Sequence, residues 1–454
     1  MSARPLGWLG IFRLGLVQTS LGAIVVLTTS TLNRIMVVEL ALPAMLPGAL
    51  VAIHYALQFL RPRLGHGSDV GGRRTPWIVG GMMVLAAGGM VASLATAWMA
   101  TDVASGIALA VAGFVLIGVG VGAAGTSLLV LLAKRVDDRR RAPAATIVWI
   151  MMIAGFAVTA GVAGHLLDPY TPARLVAVTG AVCAIAMSVT VAALWGVEGH
   201  AAPVGEGEGR EPKSNVPFRE ALAQVWDETQ SRRFTVFIFV SMLAYGAQDL
   251  ILEPFAGAVF ALTPGQSTKL SGVQHGGVLA GMLLVAVVCG VGRGGRPGLL
   301  RLWTLIGCGT SAIALFGLAA AGFVGPSWPL NASVFFLGVA NGTYAIAAIG
   351  SMMALVVAGH PSREGVRMGL WGAAQALAFG SGGFLGTVAI DLARGLTSSP
   401  VLAYSAVFAS EGVLFLVAAW LAARVDVSRR DETASQPVAE DARAPAFALE
   451  TRGA

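Results

Sequence analysis

Gly65-His66-Gly67-Ser68-Asp69-Val70-Gly71-Gly72-Arg73-Arg74 stands between two long apolar runs. Its pattern is Gly-x-x-x-Asp-x-x-Gly-Arg-Arg. The glycines allow a tight turn against a helix end. Asp69 has the chemistry to sit at a helix N-terminus or to accept from an arginine. Arg73 and Arg74 belong on the face of a membrane where Lys and Arg accumulate. A turn in a soluble protein has the same composition. What decides the reading is position: a short charged loop directly after the second of many apolar runs.

Composition gives those runs their meaning. Hydrophobic residues make up 56% of the 454 and charged residues 12%, against roughly 25% charged in soluble domains. This is a polytopic membrane protein. Its 59 glycines suit helices that pack closely in lipid. The formal charge of +6 sits in short loops, so it reflects topology and not a nucleic-acid partner. The N-terminal residues lack the charged, apolar and small-residue pattern of a cleavable signal. Cys183, Cys289 and Cys308 fall inside apolar runs and read as small buried hydrophobes, not as disulfide or metal partners.

A span needs about 20 mostly apolar residues. That length predicts twelve transmembrane helices near 14–40, 43–63, 76–100, 104–133, 143–167, 172–197, 233–261, 268–291, 301–324, 328–358, 364–390 and 400–424. Pro43, Pro172, Pro254 and Pro329 mark starts or bends. Between 198 and 232 the composition turns to Gly, Pro and charge, which reads as a linker. Within it Phe218 to Glu228 predicts a short amphipathic helix with Phe218, Leu222, Val225 and Trp226 on one face. The chain therefore divides into an N-terminal half (1–197), a linker (198–232), a C-terminal half (233–427) and a disordered polar tail (428–454). An all-α protein of two six-helix halves is the plan of the major facilitator superfamily (MFS). With the N-terminus cytoplasmic, 26 of the 30 Lys and Arg residues fall on the cytoplasmic side. Only Arg34, Arg174, Lys269 and Arg394 lie on the other, which puts both termini inside. The loop after span eight, Gly290-Val-Gly-Arg293-Gly-Gly-Arg296, repeats the Gly65–Arg74 loop without its aspartate.

Ionisable groups inside spans are costly and mark functional sites. The first cluster is Asn33, Arg34 and Glu39, late in span one. Five residues apart, Arg34 and Glu39 stand about 140° apart on a regular α-helix, so each needs another partner or snorkels to the interface. The second is Gln248, Asp249 and Glu253 in span seven, where Pro254 loosens the helix. Asp249 and Glu253 share a face, and their surplus negative charge predicts an Arg34–Glu253 or Arg34–Asp249 bridge closing the outer side. The third set is His54, His165 and His275, on helices that line the boundary between MFS halves. A neutral imidazole can ligate the magnesium of a chlorin, although for each histidine singly a packing role competes. Gly118-Val-Gly120-Val-Gly122 and Gly382-Gly383-x-x-Gly386 read as helix packing. Walker, HExxH and CxxC motifs are absent. Asp249-x-x-x-Glu253 is a single acidic motif where membrane prenyltransferases need two.

The Gly65–Arg74 loop, with Gly65, Asp69, Gly72, Arg73 and Arg74, resembles the loop between helices two and three of MFS transporters. That resemblance implies that Asp69 and Arg73 lock the halves in one state. Leu32-Asn33-Arg34-Ile35-Met36-Val37-Val38-Glu39-Leu40 and Gln248-Asp249-Leu250-Ile251-Leu252-Glu253-Pro254 resemble signatures of the PucC/LhaA family, the bacteriochlorophyll delivery branch of the MFS. The resemblance covers about residues 6 to 425. The compact Ser68–Arg74 loop lacks the longer insertion of PucC and LhaA themselves and looks like that of a sister branch. The resemblance implies a non-enzymatic carrier or assembly factor in a bacterial inner (intracytoplasmic photosynthetic) membrane. Its cargo would be (bacterio)chlorophyll or a late precursor, with no free metal. Its partners would be light-harvesting apoproteins or bacteriochlorophyll synthase, besides the bilayer. A proton-coupled transporter of a small solute, using Asp249 or Glu253, and a ligand-free assembly scaffold are the alternatives.

Overall fold

The computed structural model describes residues 6–60, 74–198, 218–289, 297–358 and 364–425. It is helical, with no strand among the described residues. The N-terminal half contains α1 (Trp8–Glu39), α2 (Met45–Ala56), α3 (Thr75–Trp98), α4 (Val103–Arg135), α5 (Asp138–Leu166) and α6 (Pro172–Leu194). The linker helix is α7 (Phe218–Asp227). The C-terminal half contains α8 (Thr229–Phe260), α9 (Pro264–Cys289), α10 (Pro297–Val324), α11 (Leu330–Ala358), α12 (Glu364–Thr397) and α13 (Pro400–Ala422). Eleven of these are long and apolar enough to cross a bilayer. The exception among the twelve expected spans is the second. There α2 has 12 residues and continues as a tighter 3-10 turn, Leu57–Leu60. Proline sits at the first turn of α6 and α13, where its missing N–H is harmless. Pro254 does not break α8, which runs through it unbroken.

Helix pairing repeats between the halves. In the first, α1 packs on α5 and α6, α3 on α4 and α6, and α2 on α4. In the second, α8 packs on α12 and α13, α10 on α11 and α13, and α9 on α11. Each contact has a counterpart six spans later, so the repeat that the loops keep only as glycine and arginine survives fully in the packing. The halves meet along two seams, α5 with α9 and α2 with α12. These seams exchange under the same correspondence, as a pseudo-two-fold axis requires. Outward-facing side chains such as Ile185, Val287 and Leu396 are apolar and exposed, which suits a protein whose surroundings are lipid. The Gly118–Gly122 and Gly382–Gly386 stripes do pack helices: a Cβ on Gly120 would stand 2.4 Å from the Leu85 nitrogen, and one on Gly382 2.2 Å from the Leu243 carbonyl.

The termini-side ends of the helices and the linker share one face, here the linker face. The ends of α1, α5, α8 and α12 reach the far face. The linker helix forms where the sequence placed it. Val225 is buried, but Trp226 is 43% exposed, because adjacent helical positions point about 100° apart. Directly after α7, Glu228 receives Arg367 of α12 through two hydrogen bonds of 2.7 and 2.6 Å. The tail beyond 425, and Gly65, Asp69, Gly72 and Arg73 of the loop, lie outside the described residues. Arg74 is described and buried. Its backbone N–H and that of Thr75 donate to the Glu198 carboxylate at 2.5 and 2.8 Å. Glu198 thus caps the positive end of α3, a role that reading it as the first linker residue did not reveal.

Candidate functional site at the junction of the halves

The site begins in α1. Thr28, Thr29, Ser30 and Thr31 are four consecutive hydroxyl residues, all buried. Thr28 Oγ1 donates back to the Val25 carbonyl at 2.9 Å, and Thr29 Oγ1 to the same carbonyl at 3.0 Å. Such back-bonding competes with the helical ladder. Here the ladder widens into a π-helical turn, Leu27–Thr31, followed by one α-turn and a second π-helical turn, Ile35–Glu39. Wide turns of this kind concentrate at functional sites.

The second wide turn overturns one expectation. On a regular α-helix Arg34 and Glu39 diverge, but here they sit at the two ends of a π-helical turn. Arg34 Nη1 donates to Glu39 Oε1 at 2.5 Å. Arg34 Nη2 donates across the junction to the Leu262 carbonyl at 2.5 Å. The guanidinium lies flat on α8 at Gly257, where a Cβ would stand 2.9 Å from Nη2. The expected bridge from Arg34 to Glu253 or Asp249 is not among the ion pairs of the described residues. Arg34 is 2% exposed, so it does not snorkel; Glu39 keeps 34% of its side-chain surface. Beside them the loop residue Tyr170 has its pKa pushed above the ordinary phenolic value, first by burial and then by the Glu39 carboxylate.

Glu253 instead takes hydroxyl donors. It is 1% exposed, accepts from Ser30 Oγ, and accepts from Thr268 Oγ1 of α9 at 3.4 Å. Thr31 and Thr268 pair at 3.1 Å. Asn33 Nδ2 donates to the Leu250 carbonyl at 2.5 Å, leaving Asn33 Oδ1 without a partner. The π-turn therefore faces α8 and α9 with a row of polar groups. One turn deeper, Asp249 is half-buried and within electrostatic reach of His275. Gln248 turns elsewhere, fully buried, with neither amide atom partnered.

The three histidines are not brought together. His54 is buried in α2, edge-on to Tyr55, whose ring meets Phe379 of α12 at 5.6 Å. His165 is exposed in the last turn of α5. His275 is 5% exposed on α9. Its Nδ1 stands 2.9 Å from the Ser271 carbonyl, and its ring meets Phe156 of α5 edge-on at 5.0 Å. A carbonyl only accepts, so Nδ1 carries a proton, and in the neutral ring the lone pair is then on Nε2. No group of three or more His, Cys, Asp or Glu is placed to hold a metal ion among the described residues.

Around this junction the far face is closed. Asp168, after α5, accepts from Thr263 Oγ1 at 2.7 Å and pairs with Lys269 at 3.8 Å. Asp391, almost two turns before the end of α12, accepts from the backbone N–H groups of Ala44 and Met45 at 3.0 and 2.7 Å, capping α2 from the other half. Backbones touch as well: a Cβ on Gly164 of α5 would stand 2.6 Å from the Gly265 carbonyl of α9. Sequence reasoning missed Asp168 and Asp391 because both read as ordinary loop or helix-end carboxylates.

This architecture matches solved transporters. A nucleoside transporter, NupG, superposes with a TM-score of 0.64 at 14% identity, covering 92% of this chain and 99% of that one. A peptide transporter, POT, gives 0.65 at 14%, covering 93% and 97%. At that identity the likeness is one of fold, and the fold is that of the MFS. Among curated relatives, the "Bacteriochlorophyll synthase 44.5 kDa chain" of Rhodobacter capsulatus is 51% identical over 93% of this chain and 97% of its own length. "Protein PucC" of the same organism is 30% identical over 90% of each chain. The family model described as PUCC protein matches residues 31–430, a range that starts at the π-turn hydroxyls of α1 and spans both halves around the junction, so the chain belongs to the PucC family.

Proposed function

We propose that the protein is a membrane carrier or assembly factor that handles (bacterio)chlorophyll, or a late precursor, for light-harvesting or reaction-centre complexes, and that it catalyses no reaction itself. The observation that carries this reading is His275: an imidazole whose Nδ1 is committed to a carbonyl, which in the neutral ring leaves the lone pair on Nε2, on the α5–α9 seam, beside an aromatic ring. The magnesium of a chlorin takes one axial nitrogen or oxygen, and a neutral imidazole supplies it. The pigment is large and apolar, so entry at a seam from lipid needs no aqueous path. The R. capsulatus relative whose name refers to bacteriochlorophyll supports the same cargo. We place the linker face and both termini in the cytoplasm of a photosynthetic inner membrane, on the charge bias of 26 against 4. Light-harvesting apoproteins or bacteriochlorophyll synthase are the protein partners in this reading.

The test is the absorption spectrum of the protein purified in mild detergent from a pigment-making host. The wild type and His165→Ala should carry pigment, and His275→Ala should lose it at normal helix content. Pigment retained in His275→Ala moves axial ligation to His54. A colourless wild type rejects the reading. Glu253, a buried carboxylate between the halves that takes hydroxyl donors and is in none of the ion pairs of the described residues, favours a second reading, proton-coupled transport of a small solute. Proton uptake with a solute by the colourless protein, lost in Glu253→Gln, would support it. A colourless protein that moves nothing but still restores complex assembly is a scaffold.

A further inference from the structure

A buried acid lies in the C-terminal half, away from the junction. Glu411 of α13 is 1% exposed, and neither of its carboxylate oxygens has a partner. It shares one face of α13 with Tyr404, Phe408 and Phe415, all in the core of that half. The register across to α8 is fixed by Phe255, whose ring meets Tyr404 at 5.6 Å and Phe408 at 5.0 Å. The two helices run in opposite directions. Gln248 precedes Phe255 by seven residues, and Glu411 follows Tyr404 by seven. Seven residues are close to two full turns, about 10.5 Å along each helix. The spacing therefore brings Gln248 and Glu411 to one level on facing sides of α8 and α13. Gln248 is likewise fully buried with both amide atoms unpartnered.

We propose that Gln248 and Glu411 form a proton-binding site in the core of the C-terminal half, with Glu411 holding the proton as a neutral carboxylic acid. The count of donors and acceptors supports it. A glutamine amide offers N–H donors and a carbonyl acceptor; a protonated carboxyl offers one O–H donor and a carbonyl acceptor. Each offers the donor and the acceptor that the other lacks. An ionised carboxylate would leave Gln248 Oε1 without a donor. It would also stand as a bare charge in a dry core, where a carboxyl group instead keeps its proton. The charged groups on the surrounding helices are engaged elsewhere, while the hydroxyls of Tyr344 and Tyr404 are buried without partners. On α8, Asp249 and Glu253 turn toward α9 and α1. On α12, Asp391 caps α2, and Arg394 lies over the Tyr404 ring. From α10 and α11 the core receives Cys308 and Tyr344, neither of them charged as a thiol and a phenol. The proton of Glu411 leaves only to water, so its release requires α8 and α13 to part. Proton occupancy is thereby tied to the packing of this half.

The experiment is infrared spectroscopy of the full-length protein in lipid, reading the C=O stretch of protonated carboxyl groups across neutral pH. An Asp249→Asn/Glu253→Gln double variant removes the junction carboxyls from the signal. The expected result is a band that persists at neutral pH in wild type and in that double variant, and disappears when Glu411→Gln is added. Gln248→Leu should shift the band to higher frequency by removing its acceptor. That arm decides the matter if Glu411→Gln does not accumulate. A band missing from the double variant, surviving Glu411→Gln, or unmoved by Gln248→Leu overturns the proposal.

Discussion

Arg34 shows how much one side chain depends on the local form of its helix. Its guanidinium joins Glu39 on its own helix, the Leu262 carbonyl of the other half, and the bare backbone at Gly257. Removing one member of a buried pair strands the other, but Glu39 retains 34% of its side-chain surface and regains water. The loss expected for Arg34→Ala is therefore about 1.5–3 kcal/mol, the range of hydrogen bonds to a charged group. Thermal unfolding of the purified single and double variants measures it. A double-mutant cycle should show coupling between Arg34 and Glu39 and a smaller value between Arg34 and Asp249. The reverse order would restore the cross-half bridge that the sequence suggested.

At the scale of elements, the α5–α9 seam is set by glycine. At Gly164 an added Cβ would meet the α9 backbone at two points, the Gly265 carbonyl at 2.6 Å and the Lys269 nitrogen at 2.7 Å, whereas at Gly161 it would meet nothing within 4 Å. Backbone cannot rotate away as a side chain can. Gly164→Val should therefore destabilise by about 1–3 kcal/mol through overpacking, while Gly161→Ala leaves the melting temperature unchanged or raises it. Equal effects of the two would show that the seam is looser than its backbone contacts indicate. The same seam carries His275 and Phe156, so Gly164→Val also reports whether separating α5 from α9 disturbs pigment binding.

At the scale of the whole molecule, the closed far face rests on a few contacts that join the halves. Asp391 accepts two N–H groups at the start of α2, and Asp168 engages Thr263 and Lys269. Asp391→Ala strips a helix of its cap, typically about 0.5–2 kcal/mol, and the whole of that loss falls on the closed state. Accessibility reads the result. Cys183, Cys289 and Cys308 are all buried, so a cysteine introduced at the buried Ser267 reports with little background. A membrane-impermeant thiol reagent should label Ser267→Cys faster in the Asp391→Ala background. Unchanged labelling would mean that closure does not depend on this cap.

Much of this protein was legible in its sequence. Twelve apolar runs, a charged loop after the second, and Lys and Arg on one side determine a two-half helical membrane protein, because lipid admits only backbones that satisfy themselves and loops sort by charge. The residues of the junction were legible too: Asn33, Arg34, Asp249 and Glu253 stand out as polar groups in apolar spans. Their partners were not. Pairing at five-residue spacing assumed a regular α-helix, and the four hydroxyls that widen α1 act through backbone competition that a residue count does not register. Glu411 sat unmarked in a span that was otherwise apolar, and Gln248 was grouped with Asp249 by adjacency. Only the antiparallel register of α8 and α13 brings Glu411 and Gln248 to one level, and only the two seams decide which histidine meets the other half. Composition and periodicity fix which segments enter the membrane; which side chains meet there depends on helix rotation and register, and those are set by packing.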